Sequence, residues 1–345
     1  MKKTLIAAAV VAASGAAMAQ SSVQIYGTVD VWAGSSGNKT TLSGVETKES
    51  FGVVNSGGLT TSRIGFRGTE DLGGGLAANF KLESRLGVDT GAAFASGFDR
   101  ESWVGLSGGF GEIQLGNTWT AYDDIWGATN HTFDDNFTAV PRIGYNAIPG
   151  STIKYYAPVF SGVTAAVSYS LGEADVDSPD VTSFSLNYDG GPLNVVFGYQ
   201  REEFASPEIY GFGIALGTVE KFSNTLIGAS YDFGVAKLLG NYNQAKVEDA
   251  SFAADITLNE YSVGVEVPLG DAMAFSAGYG RSQAKQSGVK LIKASGVSAA
   301  LTYTLSKRTT AYAGFNRTTF TDEGVNNAGD KVRESIYAVG IKHTF

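Results

Sequence analysis

The segment SGVSAALTYTLS, from Ser295 to Ser306, carries a larger apolar side chain at nearly every second position. Val297, Leu301 and Tyr303 belong to this set, and small or polar residues lie between them. Side chains of a β-strand point alternately to its two faces, so the pattern predicts a strand with one apolar face. Comparable rows of alternating residues occur at 163–169, 184–188, 193–199 and 261–267. The chain is therefore predicted to be all-β.

Short turns alternate along the chain with longer polar connections. The short turns are rich in Gly and Asp, which suit tight backbone bends, and lie at 71–74, 108–111, 189–192, 269–271 and 306–308. The longer connections lie at 34–58, 87–98, 119–149, 172–180, 203–222, 247–256, 285–294 and 321–332. Counting strands between these breaks predicts sixteen. An antiparallel meander with short turns at one end and long loops at the other is typical of a transmembrane β-barrel.

The first nineteen residues have the pattern of a secretory leader. Lys2 and Lys3 precede an apolar run, and the small residues around Ala19 form a cleavage site before Gln20. We therefore expect cleavage between Ala19 and Gln20, which leaves residues 20–345 as one barrel domain. No later apolar run is long enough to predict a transmembrane helix. The mature chain is predicted to be exported.

The composition excludes several classes of function. The chain of 345 residues has a net charge of -9 and a pI near 4.8, which disfavours general nucleic-acid binding. It has no Cys, so disulfides, thiolate metal sites and cysteine nucleophiles are absent. Its two histidines, His131 and His343, offer little for a metal centre or a catalytic triad. We expect no cofactor, no resident metal and no enzymatic activity.

A soluble β-sandwich also alternates with a period of two residues, and the final strand helps to distinguish the two folds. A solvent-facing row in a sandwich would be richer in Lys and Glu than the rows seen here. One face of the last strand is mostly apolar and ends in a C-terminal aromatic residue. Its members are Tyr337, Val339, Ile341, His343 and Phe345. Such an ending resembles the signal that the outer-membrane barrel assembly machinery reads, which favours the barrel.

Several segments together resemble the general porins of Gram-negative bacteria, in particular those of β-proteobacteria and Neisseria. The segments are 22–30, 62–76, 103–111 with 115–116, 151–158 and 339–345. The resemblance implies a sixteen-stranded outer-membrane barrel, usually a homotrimer, whose third long loop folds inward to narrow the pore. It also implies contact with outer-membrane lipid and lipopolysaccharide, and passage of ions and small hydrophilic solutes.

A basic set of side chains is predicted to face the lumen. Charged residues at mid-depth on the lipid side would cost about 2–4 kcal/mol each, so strand alternation assigns them to the inside. The predicted set is Arg63, Arg67, Lys81, Arg85, Arg100 and Lys154. Arg100 is the exception to the pattern, because alternation alone puts it on the face of Val104 and Leu106. The resemblance implies that Arg63, Arg100 and Lys154 form the basic wall of the pore constriction.

The long connection 119–149 is the candidate constriction loop. It combines acidic with aromatic residues, and we expect the aromatic side chains to hold the loop against the inner wall. The acidic members are Asp123, Asp124, Asp134 and Asp135, and the aromatic members are Tyr122, Trp126, Phe133 and Phe137. Some of these carboxylates are predicted to face the basic wall across the gap, and Arg142 to reinforce that wall.

The predicted function is passive diffusion through a water-filled pore with a mild preference for anions. Many acidic residues lie in external loops, where salt screens charges beyond about 8 Å, so the basic wall dominates. One alternative is a channel that prefers particular solutes, such as organic acids or phosphate. A less favoured alternative is an outer-membrane barrel enzyme or adhesin.

Overall fold

A computed structural model describes most of the chain. The described residues are 22–94, 96–129, 138–139, 144–172, 179–206, 208–209, 214–215, 218–251, 254–324 and 328–345. The leader with its cleavage site at Ala19 and Gln20 lies outside these ranges. So do the loop residues Asp134 and Asp135, together with His131, Phe133, Phe137 and Arg142. What the sequence predicts for them stays a prediction.

The described residues form twenty strands and one short α-helix followed by a 3-10 turn. The strands are β1 (Ser22–Leu42), β2 (Val45–Ser56), β3 (Arg63–Gly73), β4 (Leu76–Gly87), β5 (Ala92–Ala93), β6 (Glu101–Gly108), β7 (Gly111–Asn117), β8 (Thr152–Tyr156), β9 (Val163–Ser170), β10 (Asp180–Gly190), β11 (Leu193–Ala205), β12 (Glu208–Ile209), β13 (Ile214–Ala215), β14 (Val219–Asp232), β15 (Lys237–Glu248), β16 (Ile256–Pro268), β17 (Met273–Gln286), β18 (Val289–Ser306), β19 (Thr309–Asp322) and β20 (Lys331–Thr344). The helix is α1 (Ala121–Trp126), and the 3-10 turn is Gly127–Thr129. No helix in the described ranges is long and apolar enough to cross a membrane.

Sixteen of the strands form one closed antiparallel barrel, as predicted. Each strand pairs with its neighbour along the chain, and β1 closes the sheet by pairing with β20 from Thr28↔Thr344 to Thr41↔Lys331. On its other side β1 pairs with two strands in succession. Its first residues pair with β3, and the remainder pairs with β2. The strand β2 therefore extends the wall beyond β3 and is not one of the sixteen.

Two connections that are predicted to be long loops are hairpins in the structure. The segment 34–58 continues β1 and adds β2, and the segment 285–294 prolongs β17 and β18. Each hairpin turns at a Ser-Gly pair with positive φ, Ser43-Gly44 and Ser287-Gly288. Paired positive φ values match the twist of two-residue hairpins. Both hairpin segments are polar along much of their length, so in the sequence they look like loops. This explains why the predicted loops are strands in the structure.

Large apolar side chains lie on the outside of the barrel and polar side chains fill the inside. Exposed outward residues include Val104, Leu115, Ile153, Phe197, Ile227, Val263 and Leu301. Asp30, Glu83 and Gln200 are among the residues buried inside. This inverted distribution is what a barrel wall in lipid requires.

The C-terminal residues complete the closure. Tyr337, Val339, Ile341 and Phe345 are all exposed on the outer face, as the alternation predicts. Phe345 exchanges two backbone hydrogen bonds of 3.1 Å with Gly27 of β1. The last residue of the chain therefore lies at the seam between the first and last strands.

Candidate pore constriction

The long connection between β7 and β8 folds into the barrel and packs against its inner wall. The short helix α1 begins after Thr120, whose hydroxyl accepts a hydrogen bond of 3.3 Å from the Asp123 N–H. Tyr122 and Trp126 are buried against the inner side of the wall, in a cluster that includes Val196 of β11. These two aromatic residues therefore anchor the loop, as the sequence predicts.

Inward-facing glycines leave room for the loop at three places along the wall. A Cβ atom on Gly198 of β11 would lie 2.7 Å from the Ile125 side chain. A Cβ atom on Gly228 of β14 would lie 2.4 Å from the Thr129 hydroxyl. On Gly296 of β18 it would lie 1.6 Å from the carbonyl oxygen of Ala139. Glycines therefore line the inner wall where these loop residues contact it.

The far part of the loop contacts the opposite side of the barrel. The Asn316 side-chain amide donates to the Thr138 carbonyl, and the Thr318 hydroxyl donates to the Ala139 carbonyl at 3.2 Å. Both donors belong to β19, whereas the loop starts and ends at β7 and β8. Ala139 is fully buried at this contact. The described residues 138–139 of the loop therefore lie inside the barrel on the side opposite β7 and β8, which confirms the inward-folded constriction loop.

The two described acidic residues of the loop, Asp123 and Asp124, contact side chains of the loop and of the adjacent strand β8. The Asp124 carboxylate lies 2.5 Å from the Lys154 ammonium and accepts a hydrogen bond of 2.7 Å from the Tyr156 hydroxyl. Asp123 accepts a hydrogen bond of 2.5 Å from the Tyr145 hydroxyl on the returning part of the loop. These contacts join the loop to β8 and to its own return, so the two carboxylates are partnered within the loop region.

Lys154 lies beneath the loop. Its side chain is only 1% exposed, and its ammonium donates to the Trp119 carbonyl at 2.9 Å as well as contacting Asp124. The Tyr156 ring centroid is 4.7 Å from the same ammonium. The side chain faces inward, as the alternation predicts, and it contacts the underside of the loop.

The basic residues of β3 and β4 form two directly opposed pairs on the inner wall. In the strand register Arg63 is opposite Arg85, and Arg67 is opposite Lys81. Like charges directly across two strands repel one another. Glu83 is opposite Gly65 and therefore lies between the two pairs. Its carboxylate offsets the repulsion.

Glu83 is the centre of this cluster. It is 2% exposed, and its carboxylate receives a hydrogen bond of 2.6 Å from Arg100 and one of 2.8 Å from the Tyr26 hydroxyl. Arg63 Nε is 3.6 Å away, and Lys81 Nζ is 3.8 Å away. Strand alternation places Glu83 on the inner face, but Glu83 is not among the predicted site residues. The signal that identifies it is its position between Lys81 and Arg85 on the same face of one strand.

Arg100 lies one residue before β6 begins, and its side chain contacts Glu83 on the inner side of the barrel. Strand alternation does not apply to a residue before the first strand position, so sharing parity with Val104 does not place it outside. Its guanidinium lies 5.0 Å from the Trp119 ring centroid, next to the start of the loop. Arg85 lies at the edge of the cluster, where it is paired with Asp99 at 2.9 Å and is half exposed.

Positive charge exceeds negative charge on this wall. Arg63, Lys81 and Arg100 form ion pairs with the carboxylates of Glu83 and Glu101, whereas Arg67 donates to the Gln24 side chain. With Glu112, which lines the adjoining cavity, these four cations face three carboxylates, which leaves an excess of one positive charge. The side chains of Arg63 and Lys81 are each 27% exposed to the lumen. Below them a cavity of about 500 Å³ is lined in part by Arg67, Lys81 and Gln24. A solute in the lumen therefore passes an electropositive surface.

A closed sixteen-stranded barrel with an inward loop and a charged inner wall defines an outer-membrane channel. A family model described as Gram-negative porin matches residues 6–323, and the chain belongs to this family. Outer membrane porin protein 32 of Delftia acidovorans is 35% identical over all of both chains. Major outer membrane protein P.IB of Neisseria meningitidis is 29% identical over 73% of each chain. The chain is an outer-membrane barrel that forms a diffusion channel, as the sequence predicts.

Solved structures with the same fold support this assignment. An anion-selective porin from Comamonas acidovorans superposes with a TM-score of 0.73 at 29% identity and covers 94% of this chain and 100% of its own. OmpT of Vibrio cholerae, in its trimer form, superposes with a TM-score of 0.70 at 19% identity over 94% of this chain and 99% of its own. The latter likeness shows the fold alone.

Proposed function

We propose that the channel passes ions and small hydrophilic solutes with a mild preference for anions. The observation that carries this proposal is the excess of positive charge on the inner wall around Glu83, where four cations face three carboxylates. Charged groups in a narrow pore with low-dielectric walls determine which ions enter. The related porin from Comamonas acidovorans is described as anion-selective, which is consistent with this assignment.

Within the proposed constriction, the basic residues have two different roles. Arg63, Arg67, Lys81 and Arg100 supply the field, because they face the lumen beside Glu83. Lys154 positions the loop, because its ammonium is buried against Asp124 and the Trp119 carbonyl. For Asp134 and Asp135 the proposal remains that they face the basic wall.

The proposal includes a cleaved leader and a trimeric assembly. The leader of residues 1–19 is removed at Ala19, and the exported chain reaches the assembly machinery through its C-terminal strand ending at Phe345. We infer a homotrimer, as the membership of the Gram-negative porin family implies. The exposed apolar residues of the outer wall contact membrane lipid, and the rim above them contacts lipopolysaccharide.

The reversal potential of the purified channel in a planar bilayer tests this function. With a KCl gradient we expect the sign of anion preference, and Arg63→Ala is expected to reduce both the preference and the single-channel conductance. Lys307→Ala in the β18–β19 turn is a control, because that turn lies away from the inner wall. Cation selectivity of the unmodified channel, or an unchanged Arg63→Ala variant, contradicts the proposal.

A second candidate is a channel that prefers small organic acids or phosphate. The cavity of about 500 Å³ favours it, because two cations, Arg67 and Lys81, line it against one carboxylate, Glu112. Gln24 and Trp103 lie beside them. The Arg67 guanidinium is also 5.0 Å from the Tyr26 ring centroid, so the cavity offers both cationic and aromatic surfaces. Saturable block of the chloride current by one dicarboxylate would distinguish this candidate from simple diffusion.

A further inference from the structure

The returning segment of the constriction loop, residues 144–149, is bound by two side chains of β11 that lie outside the basic wall. Glu202 accepts a hydrogen bond of 2.9 Å from the Asn146 N–H. The side-chain amide of Gln200 donates a hydrogen bond of 2.9 Å to the Asn146 carbonyl. The backbone N–H and the carbonyl of one loop residue are therefore both bound to the same strand.

The two side chains of β11 also bind one another. The Gln200 amide donates to Glu202 Oε1 at 2.8 Å, and this is the oxygen that accepts from the Asn146 N–H. Gln200 is fully buried, and Glu202 is 3% exposed. The three residues thus form a closed set of three hydrogen bonds. We call Gln200, Glu202 and Asn146 the β11 clamp.

The carboxyl group of Glu202 lies in apolar surroundings. In the strand register it is opposite Val181 of β10 and Phe222 of β14, which are both buried and carry no titratable group. Its neighbour on the same face of β11 is the neutral Gln200, and the loop presents the neutral Asn146 to it. Among the residues that the structure describes, none of opposite charge lies at ion-pair distance from Glu202. Such surroundings favour the neutral form of a carboxyl group.

This end of β11 extends beyond the hydrocarbon layer of the membrane. On the outer face of the strand, the exposed Phe197 and Tyr199 are followed by Arg201 and Glu203, which pair with one another at 2.5 Å. In barrels of this class an aromatic girdle marks the edge of the apolar band. Glu202 lies between the two charged residues and therefore outside the membrane-spanning part of the strand.

The β11 clamp is connected to the helix of the loop on both sides of Asn146. The Tyr145 hydroxyl donates to Asp123 of α1 at 2.5 Å. The Ala147 carbonyl accepts a hydrogen bond of 3.0 Å from the Thr120 N–H, immediately before α1 begins. A displacement of Asn146 therefore moves the residues that hold α1 in the lumen.

We propose that Glu202 is a positioning residue of the channel, whose protonation state sets how firmly the constriction loop is held. The neutral carboxyl group carries its proton on one oxygen and accepts from Asn146 and Gln200 with the other. At higher pH this proton passes to water and leaves a negative charge without a cation. The ionised group then moves towards water in the lumen, because burial of an unpaired charge is costly, and Asn146 is released.

The direction of the pH dependence follows from the pKa of Glu202. Burial raises this pKa from an ordinary 4.5 to about 7, and the two hydrogen bonds oppose the rise. A released Glu202, in contact with water, has the ordinary pKa. The held loop therefore binds the proton more tightly than the released loop, and it is fully favoured below pH 4.5. This advantage is lost as the pH rises from 4.5 to about 7.

Single-channel recordings of the full-length channel in a planar bilayer test the proposal. The open-channel current noise of the unmodified protein is expected to rise at least about twofold between about pH 4 and about pH 8, which bracket the titration. Glu202→Gln keeps a neutral acceptor for Asn146 and is expected to be quiet at both values. Glu202→Ala removes the acceptor and is expected to be noisy at both. The matched control Glu203→Gln, on the outer face of the same strand, is expected to behave like the unmodified protein.

Two results would overturn the proposal. A pH dependence that persists in Glu202→Gln would assign the titration to another group, and a quiet Glu202→Ala would show that the β11 clamp does not hold the loop. If Glu202→Ala does not fold, Gln200→Met is expected to raise the noise about twofold at acid pH, and unchanged noise there would have the same meaning. The proposal goes beyond the ion preference of the channel: a cation-selective reversal potential would contradict the proposed function and leave these outcomes unaffected.

Discussion

The Asp124 carboxylate lies 2.5 Å from the Lys154 ammonium, on the side of the constriction loop that faces the barrel wall. Lys154 is predicted to belong to the basic wall, and Asp124 is one of the four loop carboxylates of which some are predicted to face that wall across the pore. The structure pairs them with one another instead, and Tyr156 and the Trp119 carbonyl complete their hydrogen bonds. The pair therefore connects α1 to β8.

Removal of one member of this pair is expected to loosen the loop. Lys154→Met leaves Asp124 without its cation, and loss of one partner of a buried ion pair costs about 3–5 kcal/mol. We expect larger current fluctuations in single-channel recordings. The double variant Asp124→Asn/Lys154→Met is expected to fluctuate less than Lys154→Met alone, because no unpaired charge remains. Equal noise in the two variants would show that the pair does not hold the loop.

Glu83 is expected to limit the anion preference of the channel. Glu83→Gln keeps an acceptor for the Tyr26 hydroxyl but removes the charge that Arg63, Lys81 and Arg100 share. The permeability ratio of chloride to potassium is expected to rise by about twofold or more, because fixed charge sets ion preference in a narrow pore. Glu260→Gln, on β16 away from this wall, provides the control for loss of one inward-facing carboxylate elsewhere in the barrel.

Gly296 is expected to be essential for the position of the loop tip. A Cβ atom there would lie 1.6 Å from the Ala139 carbonyl oxygen, so Gly296→Ala must displace the loop or the strand. We expect a higher single-channel conductance from a loop that no longer lies against β18. Gly240→Ala is the matched control, because its nearest neighbour lies 3.4 Å away. An unaltered conductance in Gly296→Ala would mean that the tip does not narrow the pore.

Asp30 is expected to stabilise the barrel seam. Its fully buried carboxylate accepts hydrogen bonds from the Leu59 and Thr60 N–H groups at 2.8 and 2.9 Å and from the Tyr312 hydroxyl at 2.5 Å. Asp30→Ala leaves these donors unsatisfied, at about 1–3 kcal/mol for each donor that stays buried. The temperature at which the folded form is lost on SDS gels is expected to fall.

A control in an exposed turn separates this effect from the loss of any aspartate. Asp71→Ala removes a carboxylate that accepts from the Gly73 N–H at 2.8 Å in a solvent-exposed turn. Its unfolding temperature is expected to change little, because water replaces that acceptor. Equal unfolding temperatures for the two variants would contradict a special role of Asp30.

Salt is expected to weaken the anion preference. The Debye length falls from about 10 Å at 0.1 M to about 3 Å at 1 M ionic strength, so the field of Arg63 and Arg67 reaches less of the lumen. The permeability ratio from reversal potentials is therefore expected to approach the ratio of free ion mobilities in concentrated KCl. A ratio independent of salt would indicate selection by pore size.

Much of the barrel was predictable from local pattern. Alternation along segments such as Ser295–Ser306 identifies the strands, and Gly- and Asp-rich turns identify their order. The inward faces of Arg63 and Lys154 follow from the same period of two residues. Resemblance of short segments to the porins indicates the family, because those segments are distributed from the first strand to the last.

The pairing of strands determines which charged side chains are neighbours, and alternation along one strand does not predict this. Alternation places a side chain on a face but gives no information about its neighbour on the next strand. The register puts Glu83 between two pairs of cations and aligns Lys48, Lys39 and Arg333 in one row. The path of the loop likewise depends on glycines distant in sequence, Gly198, Gly228 and Gly296.

The amino-acid sequence by itself determined the strand pattern, the membrane-facing surface and the family, because each depends on residues close together in the chain. The tertiary structure alone decided which charges are partnered. Lys154 and Asp124 are thirty positions apart, and only the inward fold of the loop brings them into contact. Charge in the pore depends on such contacts, since a paired cation contributes less to the field than an unpaired one.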